Sequence, residues 1–226
     1  MHMEPGLVEG SKMIIGHATG SAALAWALWQ ARRAAGQTGA WPLLLRSLLA
    51  MAAVFCFFEV LPHHPVGVSE LHLILGSTLL LLFGVAPAAL GLAGGLLLQG
   101  LFFAPADLPQ YGMNVTTLLA PLAATAWLAR RIVPAGTAYV DLGYHQVLRL
   151  SLAYQGGIVL WVAFWALTGQ GLGADNLGAI GRFGAAYLLV VALEPLVDLA
   201  LLAGARQLRR LDGSALVQAR LYRAAR

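Results

Sequence analysis

Between Glu70 and Asp107 the chain runs for 36 residues without one Asp, Glu, Lys or Arg. As a single α-helix this stretch would reach about 54 Å at 1.5 Å per residue, well beyond a hydrocarbon core of about 30 Å. It reads instead as two short helices broken near Gly84-Val85-Ala86-Pro87, where Gly stops one helix and Pro starts the next. Composition points the same way. Of 226 residues 59% are apolar and 11% charged, with a mean hydropathy of +0.75, whereas a soluble domain carries ~25% charged residues. An ordinary soluble enzyme is excluded, and no separate soluble domain fits.

Further apolar runs cover Met13 to Ala31, ending at Arg32 and Arg33, and Leu43 to Leu61, ending at Pro62-His63-His64-Pro65. Others follow at Met113 to Ile132, Gln146 to Thr168 and Gly178 to Ala203. The expectation is an all-α integral membrane protein with seven transmembrane helices in residues 1–203 and a basic segment over 204–226. Charge orients it. With the central hairpin counted, Arg32, Arg33, Arg46, Arg130, Arg131, Arg149 and the six arginines from Arg206 to Arg226 fall on one side. Lys12 and Arg182 fall on the other. Without the hairpin, Arg130 and Arg131 would face away from Arg32 and Arg33. The N-terminus is therefore expected outside, the C-terminus in the cytoplasm, and the loops at 62–70, 104–112 and 169–177 outside. The clustering of Arg at the ends of apolar runs also speaks against a nucleic-acid partner. The C-terminal segment suits either an amphipathic helix on anionic lipid or a docking surface. Residues 1–12 hold two Glu and one Lys with no basic run, so no signal peptide is expected there. Cys56 has no partner for a disulfide.

Histidine is the chemistry-bearing residue type. His2, His63, His64 and His72 share the outer face, with His17 near the outer end of the first span. Each taken singly suits an interfacial or hydrogen-bonded role, and His63-His64 between two prolines suits a solvated turn. His2 differs, because it follows the Met1 amine. The amine and the His2 amide nitrogen close a five-membered ring on a metal ion, and that amide with His2 Nδ1 closes a six-membered one. Three nitrogens in a plane suit Ni(II), Co(II) or Cu(II) and fit tetrahedral Zn(II) poorly. His72, at the head of the third span, is the best-placed fourth ligand. All of these nitrogens must be deprotonated, so capture should weaken in acid. A cloning junction can also leave His-Met after an initiator Met.

Met1-His2 followed by Gly6, then His72, Phe83-Gly84, Gln99 and Gly112-x-Asn114, resembles the cobalt/nickel substrate-binding component of energy-coupling factor transporters. The order and spacing match from 72 to 114, and after Asn114 the resemblance is topological. It implies an extra N-terminal helix on a six-helix core, threading Met1 and His2 into the outer mouth. The ion, Co2+ or Ni2+, would be held there as transported substrate by Met1, His2 and His72. Gln99, Asn114 and Ser69 would be supporting or loop-fixing groups, and helix-to-helix hydrogen bonding in the membrane is an equal alternative for Gln99 and Asn114. His63, His64, Glu70 and Asp107 would assist the ion's approach, with Glu59 also near the mouth.

The sequence departs from the family at Glu70-Leu71-His72-Leu73-Ile74-Leu75, where Ser-Ser-His-Pro-Thr-Gly is usual. Met3-Glu4-Pro5 likewise replaces an Ile-led acidic run. The ligand is kept while its polar neighbours change, which bears on the choice of ion. The resemblance implies a non-enzymatic, multi-pass subunit of the bacterial inner membrane. Its partners would be a transmembrane coupling subunit, a cytoplasmic ATPase pair and an accessory small membrane subunit. The chain itself has no phosphate-binding Gly-x-x-x-x-Gly-Lys-Ser/Thr loop. Small residues at Gly16/Gly20, Ala18/Ala22 and Ala23/Ala27 suit contact with the coupling subunit or, as the favoured reading, with the protein's own helices. The rival readings are a haem-binding anchor using His17 and His72, a purely structural subunit, and an intramembrane metallo-enzyme, against which the lack of His-Glu-x-x-His speaks.

Overall fold

The computed structural model describes Met3 and residues 6–224. Among them seven α-helices follow in order: α1 (Met13–Thr38), α2 (Ala40–Phe55), α3 (Gly76–Phe83), α4 (Val85–Phe102), α5 (Tyr111–Ile132), α6 (Tyr144–Gln170) and α7 (Ala174–Gln207). A π-helical turn, Cys56–Val60, prolongs α2. A short antiparallel hairpin, β1 (His64–Val66) and β2 (Ser69–Leu71), then departs from the all-helical expectation. It turns through Gly67 at φ 65°.

Five stretches are long and apolar enough to cross a membrane: Ala40–Val60, Val85–Phe102, Pro105–Ile132, Tyr144–Gln170 and Ala174–Gln207. The protein is thus an all-α membrane protein in architecture. The expected break in the uncharged stretch falls at Gly84, whose φ of 93° ends α3 and begins α4. The two halves are unequal. α3 has eight residues and rises about 12 Å, because His72 to Leu75 precede it without helical structure. Six of those eight residues, Gly76 to Leu81, are buried, so α3 is an inner half-helix.

Helices meet where side chains are small. Gly16 and Gly20 of α1 are buried, and a Cβ on Gly20 would lie 2.6 Å from Gly112 Cα on α5. This glycine stripe therefore serves the protein's own packing, while Ala18 and Ala22 remain exposed. The outer surface is lipid-like, with Ile14, Leu160, Leu188 and Leu189 all well exposed. At the basic end, Arg33 lies 4.8 Å over the Trp29 ring and Arg131 4.2 Å over Trp127. Aromatic and cationic groups of this kind mark a membrane interface.

The two ends of the bundle differ in chemistry. One gathers the start of α1, the hairpin and the α6–α7 turn, where Lys12 Nζ donates to the Gly169 carbonyl at 3.0 Å. The other gathers the arginines and the C-terminal segment. Among the described residues that segment forms no amphipathic helix. α7 runs on to Gln207, and the chain beyond it folds back in short 3-10 turns at Arg209–Leu211 and Ala219–Leu221. It docks on the end of α3, where the Gln218 amide donates to the carbonyls of Leu80 and Leu81 at 2.6 and 2.7 Å. The Gln218 N–H donates to Leu82 at 2.9 Å, and Leu221 is fully buried.

Candidate metal-binding site

Met1 and His2 lie outside the described residues. Met3 is fully buried and forms an antiparallel bridge with Ser69 of β2. Its N–H donates to Asn114 Oδ1 on α5 at 3.0 Å. Asn114 and Ser69 are thus brought together against the start of the chain, three residues from His72. A close approach holds the segment further along. Any Cβ on Gly169 would collide with the Leu7 carbonyl, so the end of α6 must be bare there.

His72 follows directly after β2 and is fully buried. Its Nε2 lies 3.0 Å from Glu70 Oε2. A carboxylate on one ring nitrogen fixes tautomer and ring orientation and raises the basicity of the other nitrogen. The ring is enclosed by His63, stacked at 5.0 Å and 18°, and by Phe58, edge-on at 5.1 Å. The structure thereby brings together His63, Glu70 and His72. It leaves His64 exposed on β1. Asp107 shares with Asn114 the lining of a cavity of about 10 Å³ between α4 and α5, no larger than one water. Gln99 is buried on α4, and its Oε1 has no hydrogen-bond partner among the described residues. His17 is exposed on α1.

Among the described residues no three His, Cys, Asp or Glu side chains converge on a metal position. What they offer is two stacked imidazoles, His63 and His72, a carboxylate on His72, and Met3 docked on the neighbouring strand.

A second polar centre, absent from the sequence reading, lies deeper among α3, α6 and α7. Glu194 and Asp198 are buried one turn apart on α7. Glu194 Oε2 accepts from Ser151 Oγ at 2.7 Å and Gln155 Nε2 at 2.8 Å. Asp198 Oδ1 accepts from Thr78 Oγ1. Ser77 Oγ stands between the acids, 3.0 Å from Glu194 Oε1 and 2.6 Å from Asp198 Oδ2. One hydroxyl hydrogen cannot serve both, so a carboxyl proton must supply the second bond. This network reaches the His72 segment. Gln155 Nε2 donates to the Ile74 carbonyl at 2.6 Å, and Tyr187 Oη lies 3.5 Å from the His72 carbonyl. The available signal was two acids, Glu194 and Asp198, inside an apolar run, which in a membrane need partners.

The family described as cobalt uptake substrate-specific transmembrane region matches residues 2–210. No curated protein and no solved structure matches the chain.

Proposed function

This chain belongs to the family of cobalt uptake substrate-specific transmembrane regions, and from that premise we propose that it captures Co2+ or Ni2+ outside the cell. It is a multi-pass membrane component of transport and not an enzyme. The ion would be held in a plane by the Met1 amine, the His2 amide and imidazole nitrogens, and His72. The observation that carries this reading is the docking of Met3. Its N–H on Asn114 and its bridge to Ser69 hold Met3 beside the strand that leads into His72, which supports delivery of the two residues before it. A chelate made by a terminal amine needs that delivery, because two free residues have no other means of meeting a buried imidazole.

Glu70 would orient His72, and His63, His64 and Asp107 would assist the approach of the ion, with Ser69 and Gln99 in supporting positions. The N-terminus would lie outside and the arginine-rich end in the cytoplasm, following the charge asymmetry. All seven helices would be membrane-embedded, with α3 as a half-helix that joins its extended lead to cover the depth. Release to the inside would depend on the coupling subunit and ATPase pair of an energy-coupling factor transporter in the bacterial inner membrane. Residues 1–203 would form the metal-binding unit. A haem site is disfavoured by the enclosure of His72 between Phe58 and His63.

The test compares Co(II) and Ni(II) loading of the native N-terminus with a version extended by a few residues before Met1. One-to-one binding with a square-planar ligand-field band, abolished by the extension, is expected. Equal binding by both versions would remove Met1 and His2 from the site.

A further inference from the structure

At the basic end, opposite the His72 loop, lies a cavity of about 490 Å³. Four arginines line it: Arg33 from α1, Arg46 from α2, Arg130 from the end of α5 and Arg220 from the C-terminal segment. No Asp or Glu is among the lining residues. The described acids nearby are engaged elsewhere, Asp141 with Arg206 at 3.5 Å and Asp212 with Arg223 at 2.8 Å. Orientation charges on the membrane surface would project into water and spread apart. These four instead converge from four separate segments.

Two of them are held in place. Arg46 is 7% exposed, and its Nε donates to the Pro42 carbonyl at 3.0 Å, its Nη1 to Phe83 at 3.3 Å and its Nη2 to Thr38 Oγ1 at 3.2 Å. A guanidinium carries five N–H donors, so two remain after these bonds. Arg220 packs 5.0 Å over the Tyr139 ring and donates to the carbonyls of Val133 and Pro134, each at 3.3 Å. Its Nε is buried with no partner among the described residues. Arg46, by contrast, is a buried cation without a carboxylate partner among the described residues, a costly arrangement, and the tail that carries the half-buried Arg220 is docked here by Gln218. The first turn of α4, Val85 to Pro87, also lines the cavity and adds the positive end of an 18-residue helix.

We propose that this cavity binds the phosphate group of an organic phosphate. Planar guanidiniums give two parallel bonds to adjacent phosphate oxygens. Four arginines around one space, with spare donors on Arg46 and Arg220, match a group of two negative charges and several acceptor oxygens. Gln37 and Gln218 line the same space and supply neutral amides for the parts of the ligand beyond the phosphate. Both an anionic phospholipid headgroup and a soluble phosphate ester present this chemistry.

The test uses the full chain in neutral detergent, titrated with pyrophosphate against matched chloride, with native mass spectrometry reading any retained lipid. One phosphate-bearing ligand per chain is expected. Arg33→Gln and Arg130→Gln, both at exposed positions, should each weaken it about tenfold. Arg131→Gln, outside the cavity lining, should leave it unchanged. Saturable stabilisation by pyrophosphate identifies a soluble source, while an anionic phospholipid that resists displacement identifies a headgroup. The proposal falls if pyrophosphate acts no differently from chloride and no anionic lipid is retained. It falls equally if the Arg33 and Arg130 variants hold the ligand as well as the parent does, or if only an acidic partner protein binds there.

Discussion

Asn114 and Glu194 show how a buried polar residue in a membrane bundle declares its work by what it would leave unsatisfied. Asn114 Oδ1 accepts the Met3 N–H at 3.0 Å in a fully buried position. Replacing it by Ala strands that donor, a cost of about 1–3 kcal/mol, and frees the chain start. Asn114→Ala is therefore expected to weaken Co(II) affinity at least about tenfold in a direct titration, while Asn114→Asp, which keeps the acceptor, retains most of it. The Glu194 and Asp198 network makes a sharper forecast. In Glu194→Gln the amide oxygen takes the Ser151 and Gln155 donors, and the amide N–H₂ donates to Ser77, whose hydrogen turns to Asp198. Asp198→Asn works by the mirror arrangement. Each single change should cost under about 1 kcal/mol, yet the pair together confronts Ser77 with two donors and strands its hydrogen. A coupling of about 1–2 kcal/mol beyond additivity is expected from a thermal double-mutant cycle in detergent. Additive behaviour would mean that Ser77 does not bridge the acids.

At the scale of elements, close helix contact is decided by which glycines have a neighbour. A Cβ on Gly20 would stand 2.6 Å from Gly112 Cα and 2.8 Å from its carbonyl oxygen. Neither atom can swing aside as a side chain would. Gly20→Ala should thus force α1 off α5 and cost about 1–3 kcal/mol. On the same helix, Gly36 has nothing within 4 Å, and Gly36→Ala should raise stability by about 0.5–1 kcal/mol. A melting series of the two variants separates packing from propensity. The apolar runs and the Gly84 break made the existence of the helices legible in the sequence, but not their ends: α1 runs on through Arg32 and Arg33 to Thr38, and α7 carries Arg182 and Arg206 within it. Their tertiary uses were not legible either. Small-residue spacing is the same on Gly16/Gly20 and Ala18/Ala22, and only three-dimensional contact shows that the first stripe meets α5 while the second faces outward. The hairpin of His64–Val66 and Ser69–Leu71 was equally hidden, because three-residue strands carry no periodicity to read. His72 was identifiable as a ligand candidate from its position, whereas its clamp by Glu70 and cover by His63 depend on how that hairpin turns at Gly67.

Across the whole molecule, the two ends of the bundle are joined through α3. Its entrance at His72 to Leu75 is tied to Gln155 and Tyr187, its first turn to the buried acids through Ser77 and Thr78, and its final carbonyls to Gln218. An eight-residue helix rising about 12 Å cannot reach both membrane faces, so tail residues complete it at the basic end. Composition could assign charge to that tail but could not show that a glutamine would cap a half-helix, since a neutral amide among arginines carries no distinguishing pattern. The last carbonyls of a helix lack intrahelical donors; here Leu80 still accepts from the Gly84 N–H at 3.1 Å, whereas Leu81 depends on the Gln218 side-chain amide and Leu82 on the Gln218 N–H, where water is scarce. Gln218→Ala should therefore destabilise the protein by about 1–3 kcal/mol, visible as a lower melting midpoint in detergent. It should also loosen Arg220 from the cavity, so that the same variant loses part of its pyrophosphate or lipid binding although no charge has been removed. An unchanged midpoint would show that the C-terminal segment merely rests on the bundle. A lower midpoint with ligand binding intact would show that it closes α3 without shaping the cavity.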